Sequence, residues 1–447
     1  MDFVSDHPLM VEKASVDSLA RKKFPTKLFL EVTTRCNLKC EMCVKQSDGG
    51  SSMTGDLTPE TFSAIESALS RLDTLILNGV GEPLLHPHLE QYVKKARKLL
   101  PEGASVGFQT NGVLLDYERA ESLLDAGVDR ICLSMDAVSS ERFRAIRAGG
   151  EVSDIELAFS ALNGAKARRG RPDIRVGIEF VLMRRNLSEL PMALRWAARQ
   201  GAAFAIVTQL LPYDKGAVAQ AAYDTNTAGA IDIYSKWKTR SEKDDIDLRR
   251  YAEIFLKYAK SNDDVRMLDM VERMKDDASG RGIALHIDKL LARDEEWLGK
   301  AGDILAEAQQ IADAHGMTLT LPGLAPVNNR RCEFVEAGSI FVSWDGYVHP
   351  CYFLWHRYRC YVGGWEKLVK PRVFGNLLEE DILEIWNKRD YCSFRESVIR
   401  YDFPFCFDCN FALCDYVQGE DFEQDCYVSS VPCGACLWCT SLFHCLQ

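Results

Sequence analysis

Long hydrophobic runs are missing from this chain. Nowhere in its 447 residues is there a stretch of about eighteen apolar residues, so no membrane-spanning helix is expected and no membrane partner. The first 23 residues are mixed polar and lack an apolar signal-peptide core, so no secretory signal is expected. A basic excess is missing too. The 54 Lys and Arg stand against 65 Asp and Glu, a net charge of -11. Nucleic acid, which calls for basic patches, is therefore not an expected partner. The acidic balance otherwise speaks only for solubility. Histidine is scarce, at eight residues. Internal repeats and low-complexity segments are absent. Cys445 is third from the end rather than fourth, which excludes a prenylation box.

Cysteine is plentiful, with sixteen residues. A disulfide framework fits poorly with a chain this long and without a signal. Reduced thiols used as metal ligands in the cytoplasm fit better, and a cytoplasmic protein is expected. The 47 % apolar and 27 % charged content is that of a globular protein with room for two or three domains.

The chain is organised around Glu31-Val-Thr-Thr-Arg-Cys36-Asn-Leu-Lys-Cys40-Glu-Met-Cys43. An apolar strand, Leu28 to Val32, ends where the cysteines begin. Three thiolates in eight residues grip three corners of a metal cluster and leave one iron open for a small molecule. The alternative is zinc, but zinc favours four protein ligands, often including His, and no His lies near.

After this strand the pattern alternates. Strands are expected at 74–78, 105–109, 130–134, 174–183 and 204–208, each preceded by a helical segment. Six strand–helix units imply a parallel sheet with right-handed crossovers, short of the eight of a closed barrel. The expected fold is α/β, a partial (β/α)6 TIM-like barrel. Polar turns fall at the strand ends, where such barrels place functional residues: Asn78-Gly79-Val80-Gly81-Glu82-Pro83, Gln109-Thr110-Asn111-Gly112, and Ser134-Met135-Asp136. Individually each is an ordinary strand-to-helix turn or helix cap; as a set on successive strands they mark a site.

Residues 214–329 are charged and helical in pattern, with helices expected at 231–237, 245–259, 265–275 and 287–314, then a strand at 318–321. A solvated surface is the plainer reading of such faces, and a macromolecular docking insertion the sharper one. From Arg330 the chain is cysteine-rich: Cys332, Gly346-x4-Cys351, Cys360, Cys392, Cys406-x2-Cys409-x4-Cys414, Cys426, Cys433-x2-Cys436-x2-Cys439 and Cys445. So many spaced pairs point to metal, with zinc open for any one pair. Asp345-Gly346 between apolar runs predicts a hairpin. The expected domains are an N-terminal extension (1–27), the barrel (28–213), the insertion and linker (214–329) and the cysteine-rich domain (330–447).

The C-x3-C-x2-C spacing, with Asn37-Leu38 and the strand before it, resembles the signature of the radical S-adenosylmethionine (radical SAM) superfamily. The turn at 78–83 resembles the superfamily's Gly-Gly-Glu-Pro motif, with Val80 interrupting the glycine pair. The tail resembles the SPASM auxiliary-cluster extension. It departs from that pattern in having four residues before Cys414 and in the extra Cys433, Cys436, Cys439 and Cys445. The resemblance covers residues 28–210 and 330–446. It implies an enzyme in which Cys36, Cys40 and Cys43 hold a catalytic 4Fe–4S cluster. Gly79, Gly81, Glu82, Asn111, Ser134, Asp136 and Arg147 would bind S-adenosylmethionine. Cys332, Cys351, Cys360, Cys406, Cys409, Cys414, Cys426, Cys433, Cys436, Cys439 and Cys445 would supply two auxiliary 4Fe–4S clusters, their partition left open.

Such an enzyme reductively cleaves S-adenosylmethionine to a 5′-deoxyadenosyl radical that abstracts hydrogen from substrate, while an auxiliary cluster accepts an electron or binds substrate. The cofactor carries the hard chemistry. The resemblance implies a peptide or protein substrate, as in maturases and peptide modification, and a ferredoxin or flavodoxin electron donor. The Pro432–Trp438 stretch looks most like the maturases associated with tungsten-cofactor oxidoreductases. The alternatives are a radical SAM dehydrogenase acting on a small carbohydrate, and a zinc or iron–sulfur scaffold without activity. With about 27 residues before the first strand, a leader peptide would need a separate partner or the insertion.

Overall fold

The computed structural model of the protein describes residues 20–46, 54–409 and 423–447. Its frame is a parallel sheet. Strands β1 (Lys27–Leu30), β2 (Thr74–Ile76), β3 (Ser105–Thr110), β4 (Arg130–Ser134), β5 (Arg175–Leu182) and β6 (Phe204–Gln209) pair in that order, all parallel. Helices at Leu89–Leu99, Tyr117–Ala126, Val152–Arg169 and Leu190–Arg199 cover the outer face. Local chemistry sets their ends. The Asp116 carboxylate caps the second of these by accepting from Arg119 N at 2.8 Å, and Gly127 ends it at φ +105°, a conformation glycine adopts without penalty. The expected helix from Thr58 is two short ones, Pro59–Ser63 and Glu66–Leu69.

The arc extends past six strands at both ends. Strand β7 (Thr318–Thr320) pairs parallel with β6, and β8 (Ser339–Val342) pairs parallel with β1. The order β8-β1-β2-β3-β4-β5-β6-β7 is continued outside β8 by the antiparallel β9 (Tyr347–His349) and β12 (Gly375–Asn376). The Asp345-Gly346 turn joins β8 and β9, as the sequence predicts. A further hairpin, β10 (Tyr358–Val362) with β11 (Trp365–Val369), turns at Gly363-Gly364.

Side chains alternate between the two faces of each strand, so pairing register stratifies the lumen. Phe29, Ile76, Cys132, Phe204, Ile206 and Phe341 make an apolar inner layer with Tyr352 and Leu446. One step nearer the strand C-termini comes a polar layer: Glu31, Asn78, Gln109, Ser134, Glu179 and Thr208. The apolar layer anchors the barrel.

Residues 228–291 form a small helical unit with its own core, in which Ile233, Trp237, Met267, Met270 and Met274 pack together. The expected helix over 287–314 divides into Ile287–Leu291 and Glu295–His315. Asp294 accepts from Trp297 N at 3.2 Å and starts the second of these. That helix packs with the barrel core and delivers β7, so it acts as a barrel crossover. No described helix is long and apolar enough to cross a membrane.

Candidate active site

The polypeptide leaves β1 through Glu31 to Arg35 and turns into the cysteine loop. The turn is clamped from below. Arg35 pairs with Asp56 at 2.7 Å and donates to Leu85 O at 3.0 Å. The Gly79–Glu82 turn lies directly against it: Gly81 N donates to Thr33 O at 3.2 Å and Glu82 N to Arg35 O at 2.7 Å. A Cβ at Gly81 would meet Thr33 O at 2.4 Å and Arg35 O at 2.5 Å; one at Gly79 would meet Glu31 Cγ at 2.3 Å. Both positions demand glycine for close approach rather than for turn geometry. This accounts for Val80 between them: its side chain is tolerated while its N–H donates to Glu31 Oε1 at 3.0 Å.

Three N–H groups converge on the loop sulfurs. Leu38 N and Asn111 Nδ2 lie 3.5 and 3.9 Å from Cys36 Sγ, and Arg147 Nη1 lies 3.8 Å from Cys40 Sγ. Asn111 also donates to Asn37 Oδ1 at 2.8 Å, which orients its amide. A two-residue ribbon places Cys40 opposite Arg147. Burial pushes the thiols of Cys36 and Cys40 up, and that of Cys43 up to about 11. Unliganded, they stay neutral; they become thiolates when a cationic iron group offsets burial. Soft sulfur donors beside N–H groups fit an iron–sulfur cluster. Among the described residues no three His, Cys, Asp or Glu side chains gather tightly enough for a single ion.

The strand-end residues come together around this loop. Asp136 is fully buried; its Oδ1 accepts from Val181 N at 2.7 Å and its Oδ2 pairs with Arg147 Nε at 2.6 Å. Burial pushes the Asp136 carboxyl up and the Arg147 guanidinium opposes it, leaving a buried ion pair that ties β4 to the Cys40 ribbon. Glu82 is 3 % exposed. Its carboxylate accepts from Leu84 N at 3.1 Å, Thr110 Oγ1 at 2.6 Å and Asn111 N at 2.7 Å. Both carboxylates are thus enclosed and bonded within the chain. Ser134 accepts from Gln109 Nε2 at 3.1 Å.

Two residues escaped the sequence reading. Glu31, fully buried, receives Val80 N and His356 Nε2 and so joins the turn to the tail. Glu179 stands in the polar layer with Oε2 unpartnered, and its carboxyl is pushed up to about 7 by burial and by Asp136, against Arg147 and Gln109. An acidic residue inside an otherwise apolar strand was the available signal for both.

In the tail, Cys332, Cys351 and Cys445 border the inner apolar layer, and Cys351, Cys406, Cys433 and Cys436 border a second buried cluster. Cys360 is buried in β10 opposite Lys367. Cys445 accepts from Trp438 Nε1 at 3.1 Å and lines a cavity of about 320 Å³ at the barrel foot with Arg130, Arg175 and His444. Cys426 is exposed and Cys409 partly so. Cys414 lies outside the described residues.

Comparison with known proteins agrees with this geometry. Residues 30–197 match the radical SAM superfamily, and residues 332–410 match SPASM, an iron–sulfur cluster-binding domain. The chain carries both domains and is a radical SAM/SPASM enzyme. The radical SAM domain implies S-adenosylmethionine and a 4Fe–4S cluster, and the SPASM domain binds iron–sulfur. The chain is 27 % identical over 422 residues to the tungsten-containing aldehyde ferredoxin oxidoreductase cofactor-modifying protein of Pyrococcus furiosus, covering 94 % of this chain and 96 % of that one. It is 33 % identical over 196 residues to the GTP 3′,8-cyclase of Mycobacterium marinum, covering 43 % of this chain and 52 % of that protein. Among solved structures it resembles SuiB of Streptococcus suis bound to its precursor peptide SuiA, at TM-score 0.48 and 14 % identity, covering 88 % of this chain and 70 % of that one.

Proposed function

We propose that Cys36, Cys40 and Cys43 hold three corners of the catalytic cluster, and that the strand ends from Gly79 to Arg147 form the surface on which S-adenosylmethionine lies. The observation that carries this is the convergence of Asn111, at the end of β3, and Arg147, on the ribbon opposite Cys40, on the sulfurs of one loop. When bound, the cluster and its cofactor supply a 5′-deoxyadenosyl radical able to take hydrogen from an unactivated carbon. The chain's own residues do the rest. Gly79 and Gly81 let backbone pack against the loop. Glu82 fixes the Asn111 turn, and Asp136 fixes Arg147. The polar layer of Gln109, Ser134 and Glu179 lies in the lumen beneath.

The substrate is a peptide or protein, and the enzyme a maturase. Near full-length similarity to a protein named for modifying an oxidoreductase cofactor supports the maturase part of this reading. The tail cysteines hold two auxiliary clusters, a ferredoxin or flavodoxin supplies electrons, and the enzyme works in the reducing cytoplasm. Hydrogen tracing tests the substrate class. The reduced enzyme is incubated with S-adenosylmethionine and, separately, the deuterated protein and small-molecule fractions of a host extract. Deuterium in 5′-deoxyadenosine from the protein fraction is expected; deuterium only from the small-molecule fraction favours the carbohydrate alternative.

A further inference from the structure

The foot of the barrel, at the N-terminal ends of the strands and away from the cysteine loop, concentrates positive charge in a protein of net charge -11. Arg130 opens β4, Arg175 opens β5, and the two are register partners on strands about 4.8 Å apart. Like charges side by side on neighbouring strands repel one another. Arg175 donates to Thr318 Oγ1 at 3.1 Å and Arg130 to Gln447 O; among the described residues neither pairs with a carboxylate. Burial, and after it Arg175, push the Arg130 guanidinium down.

The fold gathers these two cations instead of separating them. Both lie over the Phe204 ring, Arg130 5.8 Å and Arg175 5.6 Å from its centroid, and the negative face of an aromatic ring attracts cations. Glycines make the room. A Cβ at Gly177 would meet the Phe204 ring at 2.5 Å, and one at Gly107 would meet Arg130 Cβ at 3.1 Å. Both arginines line the cavity of about 320 Å³, together with Ile206, Leu446 and His444. His444 Nε2 is buried without a hydrogen-bond partner among the described residues. The carboxylate on the lining, Glu333, accepts from Gln447 Nε2 at 3.1 Å and has Lys27 within reach of its charge, so it is offset by another cation. Cys445 is the single cysteine on the lining, too few thiolates to make this cavity the seat of an iron–sulfur cluster.

We propose that the cavity at the barrel foot binds the phosphate group of a small molecule between Arg130 and Arg175. Guanidinium forks match the oxygens of a phosphate, and two on adjacent strands bracket one tetrahedral anion. A phosphate carries close to two negative charges, enough to offset both arginines, whereas one carboxylate offsets only one. Phe204, Ile206 and Leu446 supply an apolar wall for the body of the ligand, and a volume of about 320 Å³ suits a small one. Phe204 and Ile206 belong to the apolar inner layer, which separates the foot from the polar layer above. The ligand therefore does not meet the cysteine loop. It bridges β4 and β5 to residues 444–447, and so fastens the tail to the barrel.

Calorimetric titration of phenyl phosphate into the full-length, anaerobically reconstituted protein tests this, at constant ionic strength and with saturating S-adenosylmethionine. Wild type is expected to bind phenyl phosphate at a single site. Arg130→Gln and Arg175→Gln should each weaken binding by about tenfold or more. Arg175→Lys keeps the charge but not the fork, so its affinity should fall between wild type and Arg175→Gln; it carries the comparison if a Gln variant does not fold. The electron paramagnetic resonance signal of the catalytic cluster, and its change on adding S-adenosylmethionine, reports that the barrel of each variant is intact. Phthalate, a dicarboxylate on the same ring, should bind more weakly than phenyl phosphate. Wild type that takes up no phenyl phosphate, or folded variants that bind it as tightly as wild type, overturns the site. Phthalate bound as tightly as phenyl phosphate, and lost in the same variants, overturns the phosphate assignment in favour of a dicarboxylate.

Discussion

His356 Nε2 lies 3.1 Å from Glu31 Oε2, joining two residues 325 positions apart. Glu31 stands five residues before Cys36 at the end of β1, and its Oε1 takes Val80 N. One buried carboxylate thus couples the cysteine tail to the turn that packs against the catalytic loop.

Removing that link should loosen both halves. Leaving a buried acceptor without its donor costs about 1–3 kcal/mol. His356→Ala is therefore expected to lower unfolding free energy by that amount, with Glu31→Ala worse because Val80 N also loses its partner. Denaturant titration checks it; a His356→Ala change below about 0.5 kcal/mol, the range of ordinary surface substitutions, would contradict the coupling.

Glu82 should behave as a buried structural group as well as a site residue. Its carboxylate satisfies Leu84 N, Thr110 Oγ1 and Asn111 N, and Glu82→Ala strands all three. A loss of about 1–3 kcal/mol for each donor left unpaired is the expected scale. Glu82→Gln should lose less, because an amide oxygen still accepts. Equal stability of wild type and Glu82→Ala by thermal unfolding would rule this out.

Asn111→Ala removes an N–H directed at Cys36 Sγ. Hydrogen bonds to cluster sulfurs raise reduction potential, so the catalytic cluster of the variant should be harder to reduce at unchanged iron content. A potentiometric titration followed by electron paramagnetic resonance reads this. An unchanged or raised potential would mean that the Asn111 amide does not serve the sulfur.

Glu179 gives a pH signature. Its carboxyl is pushed from an ordinary 4.5 to about 7. It faces Asp136 and Arg147, and Cys132, Cys445 and Tyr352 all lie within reach of its charge. A raised folded-state value means the fold holds the proton more tightly than the unfolded chain does. That stabilisation is complete below pH 4.5 and is lost as pH rises through 7. Glu179→Gln stays neutral, so it should exceed wild type in stability at pH 8 by on the order of 2–3 kcal/mol and differ little at pH 5. The same difference at both pH values would contradict a buried, proton-holding carboxyl.

Much of the barrel could be read from sequence because alternating apolar strands and amphipathic helices are local signals. The turns at 78–83, 109–112 and 134–136 could be read because Gly, Asn and Asp cluster at strand ends. The strand at 318–321 and the hairpin at Asp345-Gly346 were legible too, but not that they extend the barrel sheet at its two edges: β8 joins β1 from over three hundred residues away, and a short segment carries nothing that reveals a distant partner. Gly363-Gly364 between Tyr358–Val362 and Trp365–Val369 was a readable hairpin signal that the cysteine pattern overshadowed. The enclosure of Glu82 and the pairing of Asp136 with Arg147 arise from packing between strands, which no single segment encodes.

The most direct measurement is 5′-deoxyadenosine formed by anaerobically reconstituted, dithionite-reduced protein given S-adenosylmethionine, wild type beside Cys36→Ala/Cys40→Ala/Cys43→Ala. Wild type is expected to form it and the triple variant to form none above background, while keeping its tail iron. Equal 5′-deoxyadenosine from the two proteins would contradict the assignment of these three cysteines to the catalytic cluster.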